Sequence, residues 1–458
     1  MSINRLDAAT LRAELDGSLF LPGEDGWDEA RQAWQLTVDQ RPEAVVAAAS
    51  VRDVVTTVDA ARTAGLRVAA QSTGHNAGPL GPLAGTVLLR TSGLTGITVD
   101  PAARTARVEA GVVWGDVTAA AAPYGLAGLA GTAPDVGVVG YTLGGGMSWL
   151  GRTHGVAANH VVSADVVTAD GVRRHVDARN EPELFWALRG GGGSFAVVTA
   201  LEIGLVPVPD LHGGALFFPL DQAAEVLQTW QRWTRVVPDA ITSIGRLLRF
   251  PPLPEIPEPV RGQSFVTIEL VSLLGREATD EALEPLRILG PVMDTVHPSE
   301  PAELAAIHMD PPTPVPGTGD GFLLTDLPLE ALDAFLAVTG PGQDFGLLST
   351  EIRHLGGAFS PDTARGGVVS GFAAGYAIFS ATITPDETAV KATHIALDRL
   401  RDMLRPWTAP VSYLNFAERP GGAPFAHTAA LHRLQSIKAL YDPADMIRAN
   451  HPVSPAQG

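Results

Sequence analysis

The run Gln71-Ser-Thr-Gly-His-Asn-Ala-Gly78 constrains the fold more than any other stretch of this chain. It directly follows the strand-like run Arg67–Ala70, and small or polar residues surround its central glycine and histidine. Such a turn exposes consecutive backbone N–H groups, and these form a concavity that binds anions such as phosphate. Two more glycine-rich turns follow at Gly137–Gly146 and Gly190–Gly193. Three such turns predict a long diphosphate ligand that lies across all of them.

The residues before this turn predict a strand–helix–strand unit. Pro42–Ala49 is apolar enough to form a buried strand. Ser50 is a typical N-cap for Val51–Ala64, whose apolar residues recur at helical spacing. Gly65 ends that helix, and the next strand, Leu66–Ala70, delivers the histidine turn.

Composition excludes several classes of protein. The chain has 458 residues, which favours two domains. Its net charge of −18 argues against nucleic acid and anionic membranes as partners. There is no cysteine, so disulfides, cysteine nucleophiles and thiolate metal sites are excluded. Lys391 and Lys438 are the only lysines, and the P-loop motif is therefore absent.

Targeting and metal-binding signals are not found either. Residues 1–16 are charged and lack an apolar core, so no signal peptide is expected. No window of about 18 residues is apolar throughout, so no membrane span is expected and we predict a cytoplasmic protein. The spacing of His427, His432 and His451 does not match a metal-ligand pattern, and no metal site is predicted.

The character of the sequence changes at Val206–Asp210, where we predict a domain boundary. Residues 210–409 then alternate strand-like and helix-like segments. The predicted helices are Asp221–Thr234, Ala278–Leu289, Leu329–Val338 and Asp386–Leu404, and the predicted strands lie near 214–218, 241–249, 263–270, 345–354 and 371–383. The pieces 251–260 and 311–316 are proline-rich and are expected to be surface loops, which with residues up to 321 would shape a pocket mouth.

Six motifs in order resemble the FAD-linked oxidases of the vanillyl-alcohol-oxidase superfamily, in the berberine-bridge-enzyme branch. They are Ser72-Thr-Gly-His-Asn76, Gly131-Thr-Ala-Pro-Asp-Val-Gly137, Gly140-Tyr-Thr-Leu-Gly-Gly-Gly146, Val166-Val-Thr-Ala-Asp-Gly171, Leu184-Phe-Trp-Ala-Leu-Arg-Gly-Gly191, and a tail with Tyr413-Leu-Asn-Phe416 and Ile437-Lys-Ala-Leu-Tyr-Asp-Pro443. No single motif is decisive, but their order and spacing are highly specific and cover nearly the whole chain.

The resemblance implies an α+β fold with a two-part FAD-binding domain of the PCMH type. Residues 1–207 and 410–458 would form that domain. Residues 208–409 would form an inserted substrate-binding domain, in which an antiparallel sheet backed by helices covers the flavin ring.

The resemblance also implies FAD as cofactor, with His75 bonded covalently to its 8α carbon. Ala133 stands where many members have a second linking cysteine, so at most one bond is possible. Further departures from the family are Asn159, Ser194 and Ala196. The predicted cofactor contacts are Ser72, Thr73, Gly74, His75, Asn76, Ala77, Ala133, Gly137, Gly140, Tyr141, Gly144, Gly145, Gly146, Val198 and Asn415. The residues alone leave other interpretations open: His75 as a polar loop residue, Tyr141 as core, and the glycines as positions that need a positive φ.

In the family, the tyrosine at the place of Tyr413 often acts as a catalytic base near the flavin. Its pKa must fall from about 10 to serve at neutral pH, which a cation such as Arg353 would favour. Period-two alternation places Ser349, Glu351 and Arg353 on one face of strand 345–354, with His354 on the other. The resemblance makes that face the lining of the substrate pocket, with Glu351 in a catalytic role and Arg353 and Ser349 binding substrate. A core tyrosine and a surface strand are the alternatives.

We therefore predict an oxidase that moves hydride from an alcohol or amine carbon to FAD and passes electrons to O2. Val136 lies at a position where, in the plant relatives, a valine is associated with oxidases and a leucine with poor oxygen reactivity. A dehydrogenase with another acceptor, a non-redox flavoprotein that catalyses cyclisation or binds a ligand, and a non-flavin α/β protein remain as alternatives.

Overall fold

The computed structural model describes residues 6–252, 254, 256, 258, 260–343, 345–362, 366–419 and 429–456. The predicted strand–helix–strand unit is present in it. It belongs to a four-stranded sheet of order β1-β2-β4-β3, in which β2, β4 and β3 are parallel. The strands are β1 (Ser18–Phe20), β2 (Ala44–Ala47), β3 (Arg67–Gln71) and β4 (Thr86–Arg90), and helices α1 (Ala8–Glu14) and α2 (Trp27–Arg31) accompany them.

Helix α3 (Val51–Ala64) connects β2 to β3, and the sequence at its ends fixes its length. Ser50 Oγ accepts a hydrogen bond from Asp53 N, and the Asp53 carboxylate accepts one from Ser50 N. A capping box of this kind stabilises a helix by about 1 kcal/mol. The buried stripe of the helix packs into the main hydrophobic core through Val54, Val58 and Ala61.

A second, antiparallel sheet of order β5-β6-β10-β8-β9 follows the histidine turn. Its strands are β5 (Ile97–Asp100), β6 (Thr105–Glu109), β8 (Val161–Val167), β9 (Arg173–Asp177) and β10 (Val197–Gly204); β7 (Leu126–Ala127) pairs separately with β11 (Val206–Pro207). The connecting helices are α4 (Trp114–Ala121), α5 (Val138–Leu143), α6 (Gly151–His154) and α7 (Pro182–Leu188). Both sheets and the tail from residue 414 share one hydrophobic core.

The middle of the chain forms an antiparallel sheet of eight strands, of order β15-β12-β14-β13-β18-β19-β17, with β16 also pairing with β12. Its strands are β12 (His212–Pro219), β13 (Ile241–Arg249), β14 (Ser264–Ser272), β15 (Met293–Asp294), β16 (His297–Pro298), β17 (Gly317–Leu324), β18 (Ser349–His354) and β19 (Tyr376–Ile383). The helices are α8 (Ala223–Thr234), α9 (Arg276–Arg287), α10 (Leu304–Ile307), α11 (Leu329–Thr339) and α12 (Glu387–Met403).

Strand β17 replaces the loop that we expected to extend to residue 321. Three glycines in Gly317-Thr-Gly-Asp-Gly321 made this segment look like a turn. In the structure they serve close packing instead: a Cβ on Gly321 would lie 2.5 Å from Ile378 O and 2.8 Å from Phe416 Cβ. The glycines therefore let the tail approach the sheet.

The two faces of this large sheet differ in chemistry. Side chains such as Leu247, Ile268 and Ile352 form a second hydrophobic core with α8, α9, α11 and α12. Cross-strand partners place Arg246 beside Glu351 on the opposite face. One face is thus apolar and covered by helices, while the other presents charged groups, as the family resemblance implied. The division into domains at residues 207 and 409 stays a prediction.

The tail returns to the first core through helix α13 (Ala429–Tyr441) and a parallel bridge between Val68 and Ile447. Lys438 is fully buried there, and its ammonium donates to Ser194 O at 2.7 Å, Ile447 O at 2.9 Å and Asp442 Oδ2 at 2.5 Å. Residues 420–428, including His427, lie outside the described part of the chain. Among the described residues, no helix combines the length and apolarity that a membrane crossing requires.

Replacing Lys438 by Met leaves the Asp442 carboxylate buried without its cation. We expect a loss of about 3–5 kcal/mol in the free energy of unfolding, measured by urea titration. Lys391→Met is the matched control, because this exposed lysine is the other lysine of the chain and its removal costs less than about 0.5 kcal/mol. Equal stability of the two variants would contradict the anchoring role.

Candidate active site

The histidine turn has the free donors that an anion site needs. Among the described residues, none accepts a hydrogen bond from the backbone N–H groups of residues 73–77. The side-chain oxygens Ser72 Oγ and Asn76 Oδ1 are buried and also have no partner there. Gly137, from the second glycine-rich turn, faces Ser72 closely enough that a Cβ would lie 3.2 Å from Oγ. The first two turns therefore converge, as predicted.

His75 lies between an indole and a carboxylate. Its ring stacks on Trp34 with centroids 4.2 Å apart and planes at 19°. Thr73 Oγ1 lies 2.8 Å from Nδ1, and Asp135 Oδ1 lies 3.3 Å from Nε2. Trp34 Nε1 in turn donates to Asp135 Oδ2 at 2.6 Å. We call Trp34, Thr73 and Asp135 the His75 cradle.

The charge state of the cradle follows from its contacts. Burial acts to raise the pKa of Asp135, but the His75 imidazole 3.3 Å away and the hydrogen bond from the Trp34 indole outweigh it and lower that pKa. Asp135 is therefore a carboxylate at neutral pH and accepts hydrogen bonds without donating them.

The glycines of residues 144–146 make room for the returning tail. A Cβ on Gly144 would lie 1.8 Å from Asn415 Oδ1, so only glycine fits there. Asn415 Nδ2 donates to Tyr141 O and to the Tyr413 hydroxyl oxygen, each at 2.9 Å. Tyr141 itself is buried, stacks edge-on against Trp114, and its hydroxyl has no partner among the described residues.

These features fit FAD. Unpartnered buried polar atoms gather around the glycine-rich turns at Ser72, Asn76, Tyr141, Thr142 and Asn159. Burying such groups without partners costs about 1–3 kcal/mol each, so a polar ligand is needed to satisfy them. A phosphate-rich cofactor with a polar ring edge supplies acceptors and donors of that kind.

Among the described residues, three predicted cofactor contacts form no hydrogen bond with the His75 cradle. Gly140 is exposed, and a Cβ added to it would meet no heavy atom within 4 Å, while Val198 is buried in β10 opposite Val166. Ala133 lines an apolar pocket between α4 and α10 together with Trp114, Trp149 and Leu304. Their roles stay predictions.

Tyr413 lies where the tail meets the third glycine of residues 144–146. It is buried, and its hydroxyl oxygen accepts hydrogen bonds from Met147 N and Asn415 Nδ2, both at 2.9 Å. Burial raises the pKa of Tyr413 to about 12, although Asn415 and the Arg353 charge act in the opposite direction. Arg353 thus acts in the expected direction, but the pKa stays above its ordinary value because desolvation of the phenolate exceeds the effect of the charge.

The charged face of the large sheet carries the predicted substrate residues. Arg353 Nε donates to Glu351 Oε1 at 2.7 Å, and the guanidinium lies 4.9 Å from the Phe416 ring centroid. Glu351 Oε2 lies 2.9 Å from His308 Nε2. Ser349 Oγ accepts from Arg246 Nε at 2.7 Å. Burial acts to raise the pKa of Glu351, but the charges of Arg353 and His308 hold it well below its usual range.

The sequence did not reveal the second half of this network. Glu269 is fully buried and holds His308 Nδ1 at 2.5 Å and Arg246 Nη1 at 3.1 Å. Burial and the Arg246 charge oppose protonation of His308, but the carboxylates of Glu269, Asp310 and Glu351 outweigh them and raise its pKa to about 9. Alternation along the predicted strand 263–270 would have placed Glu269 on one face of the sheet. No motif close to His308 in the sequence indicates a functional residue. Trp34 and Asp135 were missed for the same reason.

Two further histidines, His354 and His451, have structural contacts. His354 lies on the helix-covered side of β18, stacked on Tyr376, and His451 lies with Nε2 2.8 Å from Leu414 O. In the part of the chain that the structure describes, no group of three histidine or acidic residues could hold a metal ion.

The chain is similar in sequence to several known FAD-linked proteins. The family model of the FAD binding domain matches residues 42–177. (R)-6-hydroxynicotine oxidase of Paenarthrobacter nicotinovorans is 34% identical over 43% of this chain and 43% of that protein. Glucooligosaccharide oxidase of Sarocladium strictum is 34% identical over 41% of this chain and 38% of that protein. These two matches thus span less than half of each oxidase. An uncharacterized FAD-linked oxidoreductase of Bacillus subtilis, YvdP, is 25% identical over 97% of this chain and 99% of that protein.

Solved structures extend the likeness to the whole fold. BBE-like 1 of Physcomitrella patens aligns with a TM-score of 0.84 at 18% identity, over 98% of this chain and 99% of that one. The 6-hydroxy-D-nicotine oxidase of Arthrobacter nicotinovorans aligns with a TM-score of 0.82 at 23% identity, over 96% and 98%. The chain contains an FAD-binding domain and has the berberine-bridge-enzyme-like fold. This confirms the resemblance and the α+β class, and the named relatives support an FAD-dependent oxidoreductase.

The protonation of His308 predicts a pH dependence of stability. Its pKa is raised in the folded state, so its contribution is fully present below about pH 6.5 and is lost as the pH rises through about 9. The free energy of unfolding should fall across this window more steeply in wild type than in His308→Gln, by up to about 1.4 kcal/mol per pH unit. Urea titrations at several pH values measure this. Parallel curves would show that His308 is not protonated in the folded protein.

Proposed function

We propose that this protein is an FAD-dependent oxidase that acts on an alcohol or amine carbon of a small organic molecule, with O2 as electron acceptor and H2O2 as product. The observation that carries the proposal is the position of Tyr413. Its hydroxyl oxygen is held by two N–H donors between the glycine-rich turns and the charged face of the large sheet. The residue after Tyr413 is also tied to the histidine turn, because Asn76 Nδ2 donates to Leu414 O at 3.1 Å.

FAD, when bound, supplies a two-electron acceptor for hydride. The residues that would hold it are the turn at residues 72–77, Gly137 and the glycines of residues 144–146. Attachment through His75 is part of the proposal, and it is supported by the half-buried imidazole within this turn. Ala133 offers no nucleophile, so a second bond is excluded. An added FAD mass on the denatured protein is the direct measure of attachment.

Tyr413 would accept the O–H or N–H proton that the substrate loses as hydride departs. With N–H donors from Met147 and Asn415 on its oxygen, the phenol must direct its own proton away from both of them. The same two donors stabilise negative charge on that oxygen as it forms. Because the pKa is about 12, the phenolate fraction rises with pH, and substrate oxidation should accelerate with it.

Arg353 and Ser349 would bind the substrate. Arg353 is nearly buried, its Nε is used by Glu351, and its two η nitrogens donate to no described residue. The two η nitrogens are therefore donors for which a substrate oxygen or nitrogen would supply the acceptor. Glu351 positions Arg353, and Phe416 and Phe379, with ring centroids 4.7 Å apart, provide apolar surface for the carbon skeleton.

Tyr413→Phe tests the role of this hydroxyl. Flavin reduction under anaerobic conditions should slow by about 10²–10⁴-fold, the usual range for loss of general-base help, while the flavin stays bound. Stopped-flow absorbance after mixing with substrate measures the rate. Tyr124→Phe is the control, since Tyr124 is 53% exposed and precedes the large antiparallel sheet in the chain. Unchanged reduction in Tyr413→Phe would remove it from the mechanism, and a flavin that no substrate class bleaches would favour a non-redox role.

Val136→Leu tests the choice of acceptor. Val136 is half-buried at the edge of the main core, next to Gly137, and its carbonyl accepts from Trp114 N at 3.0 Å. One extra methylene would fill small apolar space that O2 must enter, at a packing cost of about 1–3 kcal/mol. Reoxidation of the reduced protein in oxygenated buffer should be fast in wild type and slow in the variant, with reduction nearly unchanged. Val162→Leu, on an exposed strand position, is the control. Slow reoxidation of wild type would favour a dehydrogenase. Equally fast reoxidation of wild type and Val136→Leu would show that Val136 does not control the access of O2.

A further inference from the structure

The His75 cradle has a feature that phosphate binding does not require. Asp135 Oδ1 is buried and has no hydrogen-bond partner of good geometry, and Nε2 of His75, 3.3 Å away, is the polar atom that faces it. Among the described residues, no arginine or lysine forms an ion pair with Asp135. We propose that Asp135 accepts the proton of His75 as that imidazole bonds to the flavin, and that Trp34 holds Asp135 for this role. The inference rests on the proposed function, because it requires FAD at the turn.

The tautomer of His75 follows from its two neighbours. Asp135 is ionised at neutral pH and can only accept, so its contact with His75 favours the tautomer with the hydrogen on Nε2, 3.3 Å from Oδ1. Nδ1 then bears the lone pair and receives the Thr73 hydroxyl proton at 2.8 Å. An imidazole of this tautomer is nucleophilic at Nδ1, and Asp135 is placed to take the Nε2 proton as Nδ1 reacts.

Trp34 restrains both partners. Its indole N–H donates to Oδ2 of Asp135 at 2.6 Å, which leaves Oδ1 for His75. Its ring stacks on the imidazole at 4.2 Å, which fixes the plane of His75. The chain has another Asp–His contact for comparison: Asp165 and His175 lie 2.8 Å apart, but that pair is on the surface and Arg107 already neutralises the carboxylate.

Attachment of the flavin to His75 is a two-electron oxidation. A C–H bond of the 8α carbon breaks, a bond between that carbon and Nδ1 forms, and the Nε2 proton passes to Asp135. Two protons and two electrons are released in total; the electrons go to the flavin ring, and O2 then takes both electrons and both protons to give H2O2. Without Asp135 the Nε2 proton has no acceptor within the cradle, so the bond should form slowly.

The test compares intact masses of denatured protein harvested at successive times after induction. Wild type should gain the mass of one FAD, and His75→Ala should gain none. Asp135→Asn keeps the shape but cannot take a proton, and its attachment should slow by about 10²-fold. Asp135→Glu should restore part of the rate, and Trp34→Phe, which keeps the stacked ring but loses the indole N–H, should be intermediate. Asp165→Asn is the matched control and should attach flavin like wild type.

Each outcome is decisive, because circular dichroism and the visible spectrum first establish that every variant folds and binds flavin. If the Asp135→Asn variant carries covalent FAD as early and as fully as wild type, the role of Asp135 is overturned, while the attachment itself stands. Wild type that binds FAD but carries no adduct removes the attachment itself, and the role of Asp135 with it. Slow attachment in Asp135→Asn that Asp135→Glu does not improve would indicate loss of cradle geometry and would also contradict the proposal.

Discussion

The position of the tail depends on one buried cation. Lys438 donates to three oxygens, one on Ser194 directly after the third glycine-rich turn and two in the tail itself, and Asp445 Oδ1 lies 3.2 Å away. Transfer of an ammonium from water is unfavourable by several kcal/mol unless such partners are complete, so the tail is held in one place. Leu414 O, between Tyr413 and Asn415, then accepts from Asn76 of the histidine turn and lies 2.8 Å from His451 Nε2. The part of the tail that carries Tyr413 and the histidine turn are therefore fixed by the same contacts.

A second buried cation sets how the large sheet faces the glycine-rich turns. Arg152 follows the second turn and lies within the sheet region, where Nε donates to Ile241 O at 2.8 Å and Nη2 to Asp239 at 2.8 Å. Nη1 reaches Leu355 O and lies 2.9 Å from His354 Nε2. Burial, with the nearby Arg152 charge, lowers the pKa of His354 to about 2, so this imidazole is neutral and accepts from the guanidinium. The contact leaves the charged face of β18 opposite Tyr413.

Short-range chemistry explains why much of this could be predicted from the sequence. The capping box at Ser50, the turn after β3 and the alternation along β18 depend on neighbours within a few residues. Strand β17 was missed because its glycines serve contacts with Phe416 and Ile378, which are distant in the chain. The His75 cradle and the His308 network were missed for the same reason: Asp135 lies 60 residues after His75, and His308 lies 39 residues after Glu269. The raised pKa of Tyr413 follows from the burial of the whole site, and no sequence motif predicts that burial.

The charge balance on the charged face of the large sheet bears on the substrate site that we propose there. Glu269, Glu351 and Asp310 contribute three carboxylates, while Arg246, Arg353 and the protonated His308 contribute three cations. The network is therefore neutral overall, although the chain as a whole carries a net charge of −18. A neutral network does not attract an ion at long range, and the surrounding negative field disfavours anions in particular. Selection must then come from the direction of individual hydrogen bonds. The η nitrogens of Arg353 are the donors left for that purpose, so the substrate group that they meet should be a neutral acceptor such as a hydroxyl or carbonyl oxygen.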